Sequence, residues 1–106
     1  MKTNNIYGLL GLARRAGKIS FGTESSIDTI ERKKAKLVIV AKDSSDRTKK
    51  NFEELCKKTN LPIRIVGTIE LLSQSIGQVN KAVLVIKDEN FAKELIKRID
   101  GGEIIG

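Results

Sequence analysis

The chain has 106 residues, 40% of them apolar and 31% charged, which is the make-up of one soluble globular domain spanning 1–106. Its longest apolar run, Leu37 to Ala41, is about a quarter of the ~20 residues that a bilayer-crossing helix needs, so no membrane partner is expected. There is no histidine and only one cysteine, Cys56, which excludes an internal disulfide, a Cys/His metal site and a Cys–His nucleophile.

The opening residues lack the apolar core and cleavage site of a secretory signal, so a cytoplasmic protein is expected. From residue 5 to 17, Ile6, Leu9, Leu10, Ala13 and Ala16 recur at helical spacing, and Gly17 ends the helix. Lys18 to Phe21 reads as a short extended piece. Gly22-Thr23 then supplies a turn and a capping hydroxyl for a second helix running to about Lys34, with Ile27 and Ile30 as its sparse apolar stripe.

Lys36 to Ala41 is β-branched, apolar and not alternating, the pattern of a strand covered on both faces at the centre of a sheet. Ser44, Ser45 and Asp46 offer caps for a third helix with Phe52, Leu55, Cys56 and Thr59 on one face, stopped by Pro62. Ile63 to Val66 is a strand. Thr68 caps a short helix carrying Leu71, Leu72 and Ile76, ended by Gly77. Ala82 to Ile86 is the last strand, and Asp88 caps a final helix with Phe91, Ala92, Leu95, Ile96 and Ile99 inward, closed by Gly101-Gly102. Such alternation predicts a three-layer α/β/α sandwich around a small mixed four-stranded sheet.

Twenty Lys and Arg against 13 Asp and Glu give a net charge of +7. Residues 1–50 hold 12 basic and 5 acidic side chains and residues 51–106 hold 8 of each, so the whole excess lies in the first half. A one-sided basic surface is the electrostatic footprint of a nucleic-acid binder. The four aromatics, Tyr7, Phe21, Phe52 and Phe91, are scattered, so structured RNA or a protein partner fits better than a single strand stacked on rings.

Enzyme templates fail. No phosphate-cradling glycine loop is present, and the acid pairs Glu53-Glu54 and Asp88-Glu89 sit at caps or on solvated helix faces. Gly8-Leu9-Leu10-Gly11 matches the G-x-x-G of KH domains but lies inside an apolar helix stripe, where its leucines are better buried. Cys56 reads as a small core residue. No catalytic residue, cofactor or metal is expected. The most informative stretch is Arg14 to Ser25, which joins basic side chains to a glycine turn and a helix N-terminus able to bind phosphate or a base edge. Arg32, Lys33, Lys34 and Lys36 add charge one helix away, although a solvated helix end accounts for any one of them.

Gly17-Lys18-Ile19 to Gly22-Thr23-Glu24, Ala35-Lys36-Leu37-Val38, Ala41-Lys42-Asp43, Leu61-Pro62 and Leu72 to Ile76-Gly77 resemble the kink-turn RNA-binding ribosomal proteins of the L-seven-Ae and L-thirty-e type. Leu9 to Lys18 and Phe91 to Leu95 are similar to the short bacterial branch called YlxQ-like. The resemblance implies a non-catalytic protein that binds kinked structured RNA, a kink-turn in ribosomal RNA or a related fold, as a monomer. It implies that Gly22, Thr23, Glu24 and Ser25 read the RNA, that Lys18 and Arg32 contact phosphates, and that Val79, in the loop before the last strand, packs on a protruding base. The family pattern G-T-N-E-x-x-K is matched at Gly22 and Thr23, but Glu24, Ser25 and Asp28 stand at its Asn, Glu and Lys positions. These departures leave open an alternative: an adaptor associated with the ribosome or translation factors, acting through protein contacts with only non-specific RNA affinity.

Overall fold

Two segments without a polar side chain, Leu37–Val40 and Val83–Ile86, are the spine of the molecule, and every side chain in both is buried. The computed structural model describes residues 5–101. Within them the order is α1 (Asn5–Arg15), β1 (Ile19–Phe21), α2 (Thr23–Glu31), β2 (Leu37–Val40), α3 (Asp46–Thr59), β3 (Ile63–Ile65), α4 (Ile69–Ser75), β4 (Val83–Ile86) and α5 (Glu89–Asp100). The strands form one sheet ordered β1-β4-β2-β3, with β2 and β3 parallel and β4 antiparallel to both of its neighbours. This is the expected α/β/α sandwich on a mixed sheet.

Alternation along the two central strands divides the core. Leu37, Ile39, Leu84 and Ile86 pack with Ile6, Leu10, Leu72 and Leu95 on the face covered by α1, α4 and α5. Val38, Val40, Val83 and Val85 pack with Ile30, Phe52 and Cys56 under α2 and α3. Phe52 and Cys56 lie one turn apart and are both buried, so truncating Phe52 to Ala would cost about 3–5 kcal/mol. The G-x-x-G segment lies inside α1, and Gly11 lets the helix approach α4 closely: a Cβ there would sit 3.1 Å from the Ser75 carbonyl oxygen.

Helix ends and helix faces depart from expectation in several places. α2 stops at Glu31 rather than Lys34, and its N-cap is Gly22 with no side-chain bond, so Thr23 is the first helical residue and its hydroxyl caps nothing. α3 is ended by Asn60 in the left-handed conformation at φ 60°, two residues before Pro62. Thr59 is exposed, its hydroxyl donating back to the Leu55 carbonyl at 2.7 Å. Leu71 is 43% exposed because the short helix turns Leu72, Ser73 and Ile76 inward, with Ile69 partly covered, and leaves Leu71 on the outer side. Gly102 lies outside the described residues, and Gly101 alone is seen as the cap of α5.

Candidate nucleic-acid interface

Strand register defines two ends of the sheet. The Gly22 N–H donates to the Val83 carbonyl at 3.0 Å, Ala41 N–H to Ala82 at 2.9 Å, and Lys42 N–H to Gly67 at 2.8 Å. These bonds gather the Gly22 turn, the loops after β2 and β3 and the loop before β4 at one end, here the turn end. At the other, basic end, Lys87 N–H donates to the Lys18 carbonyl at 2.8 Å and Lys36 N–H to Ile86 at 2.7 Å.

Gly22 has φ 90° and ψ 159°, a region that side-chain-bearing residues essentially do not enter, so this turn requires glycine. Its consequence is an open helix terminus. Ser45, Thr68 and Asp88 each cap α3, α4 and α5 by accepting a hydrogen bond from the backbone N–H three residues on. α2 forgoes that contact, worth about 1 kcal/mol, and presents its first N–H groups beneath the exposed residues Thr23, Glu24 and Ser25. A hydroxyl relay holds this terminus on the sheet. Thr29 Oγ1 donates to the Ser25 carbonyl at 2.9 Å, which leaves the Ser20 hydroxyl to donate to Thr29 Oγ1 at 2.7 Å.

Beside the terminus lies the half-buried Phe21 ring. Lys81 Nζ is 5.7 Å from its centroid and the Arg14 guanidinium 5.2 Å, both within cation–π range. The Lys81 side chain also runs past Gly22, where a Cβ would meet its Cδ and Nζ at 4.0 Å. Its loop is anchored by buried Ser73, whose Oγ accepts the Lys81 N–H at 2.7 Å and donates to the Lys81 carbonyl at 3.2 Å. Held this way, Val79 is 80% exposed, an apolar side chain at the rim of a groove of about 470 Å³ lined by Asp43, Gln74, Gln78 and Asn80.

Of the residues expected to meet RNA, the structure brings Gly22, Thr23, Glu24, Ser25 and Val79 to the turn end and leaves Lys18 and Arg32 at the basic end. The three residues of β1 separate Lys18 from Gly22, four steps or about 13 Å of strand. The nine residues of α2 put Arg32 ten steps or about 15 Å from Gly22. Arg32 Nε is moreover 3.1 Å from Asp28 on an exposed face of α2, a pair of little energetic weight. Lys81 is the residue that sequence reasoning missed. Its loop was in view, but only the pairing of β4 with β1 shows that its side chain lies against Gly22.

Cys56 is buried on the inner face of α3, and desolvation pushes its thiol up to about 11, which suits a core residue and not a nucleophile. Among the described residues no cluster of three or more His, Cys, Asp or Glu could hold a metal ion, and no helix is long and apolar enough to cross a membrane.

Comparison with known proteins adds relatives to this geometry. Residues 4–96 match the model of the ribosomal protein L7Ae/L30e/S12e/Gadd45 family. The chain is 35% identical over 94 residues to the RNA-binding protein YlxQ of Bacillus subtilis, covering 89% of this chain and 94% of that one. It is 39% identical over 93 residues to the RNA-binding protein YlxQ of Enterococcus faecium, covering 88% and 89%. Among solved structures, a protein of unknown function from Bacillus halodurans superposes with a TM-score of 0.87 at 32% identity, covering 90% of this chain and 96% of that one. A 15.5 kD RNA-binding protein of Giardia lamblia shares the fold, with a TM-score of 0.75 at 20% identity over 90% of this chain and 84% of its own.

Proposed function

The chain belongs to the ribosomal protein L7Ae/L30e/S12e/Gadd45 family, and from that premise we propose that it is a non-catalytic RNA-binding protein that recognises kinked, structured RNA at the turn end of the sheet. The observation that carries this reading is the open N-terminus of α2: it alone among the four helices with a described N-cap lacks a capping side chain, and it does so behind a turn that only glycine can make. Exposed backbone N–H groups with the positive end of the helix dipole behind them suit phosphate or a base edge. Glu24 is placed to accept guanine N1 and N2 hydrogens, as sheared G·A pairs would offer them. Val79 supplies an apolar surface for a base turned out of the stack. Lys81 provides the cation that position 28, an aspartate, does not.

The RNA in this reading is a kink-turn, in ribosomal RNA or a comparable fold, and the contact is made by Gly22 to Ser25, Val79 and Lys81. Lys18 and Arg32 stand an element's length away and serve a different surface.

The test is titration of the protein with a kink-turn RNA and with the same RNA whose G·A pairs are replaced by Watson–Crick pairs, in each of several salt concentrations. Preference for the kink-turn by tenfold or more, about 1.4 kcal/mol, is expected. Glu24→Ala should remove most of that preference while leaving or strengthening binding to the straight duplex. Equal binding of both RNAs by the parent chain would refute kink recognition and favour the adaptor reading.

A further inference from the structure

The positive charge of this chain is not where the RNA-reading turn is. Around the turn end Arg14, Lys42, Arg47 and Lys81 stand among the acids Glu24, Asp43, Asp46 and Glu70, which leaves that surface close to neutral. The basic end is different. Lys18, Lys87 and Lys36 sit on three adjacent strand ends, β1, β4 and β2, so that their backbones form a row about 10 Å long at the usual strand spacing. Lys18 and Lys87 face each other across the hydrogen bond between their backbones, an arrangement of like charges that works against folding. Lys33 and Lys34 follow the end of α2, and Lys33 lines with Lys58 a groove of about 560 Å³ between α2 and α3. Among the described residues the ion pairs are Arg32 with Asp28, Arg64 with Asp100, Lys93 with Glu89 and Arg98 with Glu94, so none of these six lysines is in an ion pair. The acids nearby, Glu31 in the same groove as Lys33 and Lys58, Glu89 beside Lys36, and Asp88, are outnumbered two to one.

A second observation singles out Lys33. Four helices end on a residue in the left-handed conformation, where glycine or asparagine is the low-strain choice. α1 uses Gly17, α3 Asn60 and α4 Gly77, but α2 uses Lys33 at φ 63°. The turn is otherwise the same: Lys33 N–H donates to the Ile30 carbonyl at 3.0 Å and Lys34 N–H to Thr29 at 3.1 Å, as Gly17 and Lys18 do to Arg14 and Ala13. A lysine is kept where it strains the backbone, at the mouth of the groove, and strain held in place against local preference points to function.

We infer that the basic end is a second nucleic-acid surface, one that tracks the phosphate backbone of an RNA stem without reading its sequence. The inference rests on the RNA-binding reading above but on different residues. Lysine dominates the surface and no aromatic side chain lines the groove. Protein interfaces are depleted in lysine and anchored by aromatic residues, whereas a polyanion needs only dense point charge. With reading at one end and phosphate tracking at the other, a single molecule contacts two segments of a folded RNA.

The experiment uses the full chain and an unkinked RNA hairpin of ~20 base pairs, titrated by fluorescence anisotropy between 50 and 300 mM KCl. Changing Lys18, Lys36 and Lys87 together to Gln is expected to weaken binding to this hairpin by about tenfold or more and to flatten the slope of log K against log salt by roughly 2–3, near 0.9 per lost phosphate contact. Lys33→Gly should weaken it about two- to threefold, with a melting temperature unchanged or higher, so that misfolding cannot account for the loss. The kink-turn preference over the straight duplex should be the same in all these variants. Unchanged affinity and slope for the hairpin would overturn the inference, as would poly-glutamate binding as tightly as RNA of equal charge, which would make this an acidic-protein surface. Loss of kink-turn preference in the parent chain bears only on the turn end and leaves the hairpin result standing.

Discussion

Gly8 and Gly11 face different surroundings on one helix, and replacing each in turn by alanine measures the difference. Glycine inside a helix costs about 0.8–1 kcal/mol against alanine, because the unfolded chain has more freedom to lose. At Gly8 a Cβ meets nothing within 4 Å, so Gly8→Ala should recover that whole amount. For a domain of this size about 1 kcal/mol raises the melting temperature by roughly 4 °C or slightly more. At Gly11 the new Cβ would lie 3.1 Å from the Ser75 carbonyl oxygen, which is backbone at the last residue of α4 and cannot rotate aside. α1 and α4 must then separate by a few tenths of an ångström over Leu10 and Leu72, which are fully buried, and overpacking of a tight core costs about 1–3 kcal/mol. Gly11→Ala is therefore expected to be neutral or destabilising. Thermal melts followed by circular dichroism at one pH suffice; equal rises for the two variants would show that the helix approach at Gly11 does not constrain the packing.

Three further outcomes follow from named groups. Asp28→Lys removes the partner of Arg32 and adds two positive units to α2, and should tighten kink-turn RNA by several-fold with a steeper salt dependence; identical affinity and slope would place Asp28 away from RNA. Burial raises the Cys56 thiol to about 11, above its unfolded value near 8.5, so its contribution to stability is intact below about pH 8.5 and is lost as pH rises toward 11. Native protein at pH 8 should accordingly react with a thiol reagent only after unfolding, and rapid reaction in the folded state would contradict the burial. Arg64 donates to both carboxylate oxygens of Asp100 at 2.8 Å, and these hydrogen bonds hold Asp100 below the usual carboxylate range. That contribution is present above about pH 4 and disappears as pH falls through the lowered value; the gap in melting temperature between parent and Asp100→Asn should close on acidification, and a constant gap would refute the linkage.

How much could be read beforehand varies with the physics involved. β2 and β4 are evident because a strand covered on both faces must be apolar throughout, and Leu37–Val40 and Val83–Ile86 have no other reading at that length. Caps at Ser45, Thr68 and Asp88 are equally visible, since hydroxyl and carboxylate side chains before an amphipathic run have one common use. The end of α2 is obscure because Lys33 occupies a position where glycine would have announced it. In the candidate site, Gly22 to Ser25 are adjacent in the chain and come together of necessity. Lys81 joins them through strand pairing across some sixty residues, and Lys18 and Arg32 leave them for the same kind of reason: nearness in sequence along a strand or helix is distance in space.

The placement of β4 also bears on how the molecule comes into being. Among the described residues β1 has a single neighbour in the sheet, and that neighbour, β4, follows the other three strands in the chain. Until residues 83–86 have left the ribosome, Ile19–Phe21 has nothing to pair with, and the Gly22 N–H lacks the Val83 carbonyl that fixes the turn. Most of the basic side chains precede this point in the chain, so a partly made polypeptide already carries most of the positive charge but not the turn on which the proposed RNA reading depends. If the proposed turn-end site reads RNA, selectivity belongs only to the finished sheet, and a chain cut short before β4 is expected to bind RNA without choosing.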